Sequence, residues 1–262
     1  MKIPLYQVDA FTRSVFGGNP AAVCPLESWI YDATMQRIAA ENNLSETAFL
    51  VPRDGEFEIR WFTPLREVEL CGHATLASGH VVLTHLDPGR DAVRFASKSG
   101  ELTVTRQGDR LALALPRQDP APVAASPSLL RALGATPRAV LAAGSKYLCV
   151  FDDAAAVERL APDLAALTAL DRYGVIVTAP GASFECDFVS RFFAPAAGVA
   201  EDPVTGSAHC LLVPYWAGQL KRTSLFAKQI STRGGELWCT LGEREVTMAG
   251  YVAPYLVGEI DV

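Results

Sequence analysis

Two stretches of the chain carry side chains and backbone suited to binding an anion and moving a proton. They are ELCGHATLASGH, Glu69 to His80, and EDPVTGSAHCLL, Glu201 to Leu212. Each sets a Gly among small or polar residues at the head of an apolar stretch of helical character. A helix that begins this way offers unpaired backbone N–H groups and the positive end of its dipole, so Gly72, His73, Gly206 and Ser207 suit a carboxylate. One such motif is explained by close packing of a strand on a helix. Two matching copies at equivalent places point to a site for a small anion.

Several side chains near these motifs could handle a proton. His73 stands at the mouth of the first helix and can donate, accept or carry one near neutral pH. His80 and His85 fit a structural role better. Glu46 opens the apolar run SETAFL, and a carboxylate beside burial has its pKa raised and can act as general acid or base. The plainer reading of Glu46 is an exposed carboxylate near a turn. Asp202 precedes Pro203 and either caps the turn or shares a proton with His73. Cys71 sits where a helix start lowers a thiol pKa, but its counterpart in the second copy is Thr205. A mechanism with two facing thiols therefore lacks one of them. Cys71, His73 and His80 lack any standard zinc spacing, so no metal site is expected.

These residues need elements to hold them. Residues 3 to 11 read as a strand, followed by the FGGNP loop and a short strand from Ala21 to Cys24. A helix is expected at about Tyr31 to Glu41, with Asp32 available to cap it. Phe57, Ile59 and Trp61 alternate with Glu56, Glu58 and Arg60, the pattern of a half-buried strand. ATLASGHVVLTHL is apolar or small on nearly every side and predicts an enclosed helix, with Gly79 permitting close packing. A hairpin joins 101–106 to 110–115. Ser126, Pro127 and Gly134 mark the ends of a short helix, and a helical segment is expected around Val157 to Ala169.

The second half repeats this order. Phe62-Thr63-Pro64 matches Phe193-Ala194-Pro195, Cys71-Gly72-His73-Ala74 matches Thr205-Gly206-Ser207-Ala208, and Gly100-Glu101-Leu102 matches Gly235-Glu236-Leu237. An internal duplication with a few inserted residues explains the match. The expected fold is therefore α+β, two pseudo-symmetric domains, each a curled sheet around one buried helix. The boundary falls near residue 117 in a Pro- and Ala-rich stretch, giving domains 1–117 and 118–262, with the last strand free to pack back on the first. The paired helix starts would then meet in the inter-domain cleft.

Composition narrows the partners. The chain has 262 residues, half of them hydrophobic, and a formal charge of −6 with no basic run. That argues against nucleic acid and against anionic lipid surfaces. No apolar run reaches membrane-spanning length. The N-terminus enters a strand pattern without a signal core, and six scattered cysteines form no C-x-x-C pair, so reduced thiols in the cytoplasm are expected.

FGGNPAAV at 16–23, NNLSETAFL at 42–50, IRWFTP at 59–64, EVELCGHATLA at 67–77 and EDPVTGSAH at 201–209 together resemble the phenazine-biosynthesis PhzF-like family. The matches span nearly the whole chain in order. The resemblance implies the diaminopimelate epimerase-like fold, which agrees with the duplication. It implies that Glu46 is the general acid/base, that His73 and Asp202 also belong to the catalytic set, and that Gly72, Gly206 and Ser207 bind substrate. Asn19 falls where related epimerases contact a substrate carboxylate. The family's best-known reaction isomerises trans-2,3-dihydro-3-hydroxyanthranilate without metal or organic cofactor, and the resemblance suggests a homodimer. Two other readings of the residues remain: an amino-acid or hydroxy-acid epimerase or racemase, and a non-catalytic binder of small carboxylates.

Overall fold

The computed structural model describes residues 1–262, and they gather into two units. The first is Met1–Leu115 with Ala249–Val262, and the second is Pro116–Met248.

In the first unit the strand Val252–Asp261 pairs antiparallel with Lys2–Ala10, which pairs antiparallel with Asn19–Pro25. Asn19–Pro25 runs parallel to Glu46–Arg53, which pairs antiparallel with Glu56–Phe62. Glu56–Phe62 takes the short strand Glu67–Val68 antiparallel at one end and Ala92–Ser97 parallel at the other. Gly100–Gln107 and Arg110–Pro116 complete the order as successive hairpins. The helix Gly72–Val81 touches Lys2–Ala10 and also Gly100–Gln107. Those strands lie far apart in the order, so the sheet curls around the helix. Closure is tight: a Cβ added at Gly79 would fall 2.4 Å from Val104 Cγ1. The outer face of the same sheet is covered by the helix Asp32–Asn42, through Met35, Ile38 and Ala39 against Cys24, Phe49, Val51 and Phe62.

The second unit repeats the pairing pattern. Ala139–Ala143 pairs antiparallel with Lys146–Val150, which runs parallel to Gly174–Pro180. Gly174–Pro180 pairs antiparallel with Phe188–Ala194. That strand takes the short Val199–Asp202 antiparallel and Ser224–Gln229 parallel, and Gly235–Leu241 returns antiparallel. The enclosed helix is Gly206–Leu220. Pro214 inside it has no N–H for the Cys210 carbonyl, and the backbone N–H of Gln118 takes that place at 3.0 Å. Trp216 lies flat against Phe188, with ring centroids 5.7 Å apart, and its indole N–H donates to Thr178 Oγ1. Three short helices, Pro127–Leu133, Ala154–Arg159 and Leu164–Thr168, cover the other face.

One duplicated device is ionic. Arg60 forks onto Glu67 through Nε and Nη2 at 2.8 and 2.9 Å, and Arg191 forks onto Glu201 in the same way at 2.7 and 2.9 Å. Each fork ties the strand before the Gly motif to its neighbour.

Two local expectations change. Asp32 does not cap its helix: it is the first helical residue, and its carboxylate accepts from Arg60 Nη1 at 2.8 Å. The segment 157–169 is two helices, because Pro162 and the cap of Asp163 on the Ala166 N–H start a new one. No helix is long and apolar enough to cross a membrane.

Candidate active site

Strand geometry aims Glu46. Phe49 and Val51 pack outward against the helix Asp32–Asn42. Alternation along a strand then turns Ala48, Leu50 and Glu46 inward, toward the enclosed helix. The entry to this strand is set by Asn43, left-handed at φ 49°, and by Asn42, whose amide donates to Thr47 Oγ1 at 3.0 Å. His73 stands at the second position of the enclosed helix. Its Nε2 lies 3.2 Å from Glu46 Oε2.

The other ring nitrogen is held by Asn19. The same parity rule turns Asn19, Ala21 and Val23 inward, since Cys24 belongs to the outer cluster. Asn19 is fully buried, and its amide nitrogen lies 3.1 Å from His73 Nδ1, with Cys71 Sγ 3.6 Å from the same atom. With that amide as donor, the ring proton falls on Nε2, toward Glu46. The loop before Asn19 admits no other residue at Gly18: its φ is +61°, and a Cβ there would meet the Ala10 carbonyl at 2.1 Å. Buried Asp9 accepts the Phe16 N–H across the same loop. Burial pushes the His73 imidazole down to about 3, with the Pro20 carbonyl opposing. The ring is therefore neutral near pH 7, a hydrogen-bonding and proton-relaying group beside a carboxylate.

The second motif is held differently. Asp202 ends its short strand and accepts from the Thr205 hydroxyl at 2.5 Å. Gln229, buried, clamps both sides of that turn: its carbonyl oxygen accepts the Thr205 N–H at 2.9 Å, and its amide donates to the Asp202 carbonyl at 2.7 Å. Sequence reading missed Gln229 and Asp9. Neither belongs to a motif, and a lone Gln in a strand carries no mark of the turn it will hold. Ser207, at the second position of its helix, is half-buried, and Gly206 is buried.

Both enclosed helices begin on extended residues, Cys71 at φ −144° and Thr205 at φ −118°, and neither is capped by that residue's side chain. The Thr205 hydroxyl is turned to Asp202 instead. Neither helix start is capped by a side chain, the condition that anion binding at the Gly72 and Gly206 N–H groups requires.

The ligand atoms of Glu46, Cys71 and His73 lie within 4.8 Å of one another. However, the ring meets Cys71 through Nδ1 and Glu46 through Nε2, so the three do not converge on one ion. Thiol chemistry also lacks support at the second copy, where position 205 is a hydroxyl already donating to a carboxylate.

Comparison with known proteins places the chain in a family. The family profile described as phenazine biosynthesis-like protein matches residues 8–256. A Pseudomonas aeruginosa protein named as an isomerase is 51% identical over 260 residues, 99% of each chain. The crystal structure of a PhzF-family phenazine biosynthesis protein from Enterococcus faecalis superposes with a TM-score of 0.96 at 44% identity, covering 100% of both chains. A hydroxyproline epimerase from Agrobacterium vitis shares the fold, with a TM-score of 0.65 at 10% identity over 99% of this chain and 92% of its own.

Proposed function

Because the chain belongs to the phenazine biosynthesis-like family and is an isomerase of it, we propose that it moves a proton between carbons of a small carboxylate substrate, with Glu46 as the carrier. The observation that carries the reading is Glu46 Oε2 set 3.2 Å from a buried, neutral His73 at the head of the enclosed helix. Glu46 as carboxylate takes a proton from one ring carbon. The electron pair shifts through the conjugated system, and the Glu46 carboxyl, whose proton exchanges with solvent, returns a proton to a second carbon, leaving an enol that relaxes to its ketone. Nothing is consumed, as an isomerisation requires. His73 Nε2 stands 3.2 Å from the carboxylate and limits its directions, while Asn19 holds the ring. The backbone N–H group of Gly72 suits the substrate carboxylate, and those of Gly206 and Ser207 offer the same anion-binding chemistry in the second unit. Asp202 belongs to the catalytic set by resemblance, and its bond to Thr205 fits it to orient the second motif.

The substrate class follows trans-2,3-dihydro-3-hydroxyanthranilate in carrying a carboxylate and an acidic C–H on a conjugated ring. Buried free thiols suit a reducing cytoplasm. Tyr255, Leu256 and Val257 are exposed on the last strand and suit a second copy of the chain as partner.

The test is turnover of that compound, beside a panel of amino and hydroxy acids, in D2O. Deuterium is expected at the ring carbon that Glu46 protonates, beside the one that ketonisation of the enol adds. Loss of optical activity in the panel without isomerisation would replace the reading by an epimerase, and ligand binding with no exchange at all would leave only a binding protein.

A further inference from the structure

Positions 75 and 209 are the fifth residues of the matching runs CGHAT and TGSAH. Their side chains are unrelated, yet they make the same bond. Thr75 Oγ1 donates to the Cys71 carbonyl at 2.5 Å. His209 Nδ1 lies 2.8 Å from the Thr205 carbonyl, so that nitrogen carries the ring proton. Each carbonyl also accepts a backbone N–H of its own first turn, Thr75 N at 3.2 Å in one case and Ala208 N at 3.2 Å in the other.

A buried Thr in a helix commonly returns its hydroxyl to the carbonyl four residues back simply to be satisfied. That accounts for Thr75 alone. It does not account for an imidazole turned onto the same carbonyl in the copy that lacks the Thr. His209 is fully buried, and its Nε2 has no protein partner. The ring is oriented for its Nδ1 bond at the expense of its other nitrogen.

We propose that Thr75 and His209 are positioning residues that polarise the Gly72 and Gly206 amides for anion binding. The Cys71 carbonyl and the Gly72 N–H belong to one peptide group, as do the Thr205 carbonyl and the Gly206 N–H. A donor on the oxygen draws electron density toward it and makes the N–H on the other side a stronger donor. These are the N–H groups at the head of each enclosed helix. The bearing of this device on binding rests on the function proposed above; the polarisation itself does not.

The test compares Thr75→Val with Thr75→Ser, and His209→Leu with His209→Asn, in the full chain. Ser keeps the hydroxyl, and Asn keeps a donor near the Nδ1 position. In 15N–1H correlation spectra the Gly72 amide proton should move upfield in Thr75→Val and stay near wild type in Thr75→Ser. Gly206 should behave likewise in His209→Leu and His209→Asn. Affinity for anthranilate, used as the carboxylate probe, should fall about two- to fourfold in the Val and Leu variants only. Amide shifts that ignore the donor, or Ser and Asn variants that lose as much as Val and Leu, would overturn the proposal in favour of packing. Wild-type protein that binds no anthranilate would instead count against the functional reading, and the amide shifts would still decide the polarisation.

Discussion

Asn19, fully buried against His73 Nδ1, acts on the reaction through the ring it holds. Asn19→Leu keeps the volume and removes the amide, so the imidazole loses its fixed direction toward Glu46. We expect kcat to fall about tenfold, the scale of a misplaced catalytic neighbour, with KM within about twofold. Steady-state kinetics separate the two, and a rise in KM alone would make Asn19 a substrate contact, as the resemblance implies. Glu46 carries little signal of its direction in the sequence. SETAFL lies in a strand buried on both faces, so no polar–apolar alternation marks which way Glu46 points. The direction comes from a helix packed outside, Asp32–Asn42, whose contacts are tertiary.

At the scale of elements, the enclosed helix of the first unit was legible because it is small or apolar on every side, and Gly79 was legible as a close-packing position. The distance gives this a magnitude. A methyl group at 79 would meet Val104 at 2.4 Å, so Gly79→Ala should cost about 1–3 kcal/mol by overpacking despite its better helix propensity. Urea unfolding measures it, and Val104→Ala in the same chain should recover part of the loss. A Gly79→Ala chain as stable as wild type would show the sheet giving way freely. The two Arg–Glu forks were equally present in the matched halves, since Arg60 aligns with Arg191 and Glu67 with Glu201. They went unread because alternating charges on a strand look like an ordinary wet face. Gln118 serving the carbonyl freed by Pro214 was not readable, because a backbone donor carries no side-chain signature.

For the whole molecule, the duplication visible in short matched runs became a repeated order of antiparallel and parallel pairings, with the enclosed helix inserted at the same place in each unit. Burying histidines in both helices has a consequence for stability. Burial pushes His73 down to about 3 and His209 to about 4, whereas in the unfolded chain a His titrates near ~6.5. The unfolded state therefore takes up the protons first. Stability is complete above that value and falls as pH drops below it, by about 1.4 kcal/mol per pH unit for each buried ring. Urea midpoints between pH 7 and 5 should show this slope, and His209→Asn should remove one ring's share. That Glu46 carries the proton is read from the deuterium that D2O supplies to the ring carbon protonated in the isomerised substrate, a carbon distinct from the one labelled by ketonisation. Glu46→Gln should keep the fold and the affinity for carboxylates while losing at least about 100-fold in exchange, the usual worth of a positioned acid–base group. Exchange at the wild-type rate in Glu46→Gln would contradict the account.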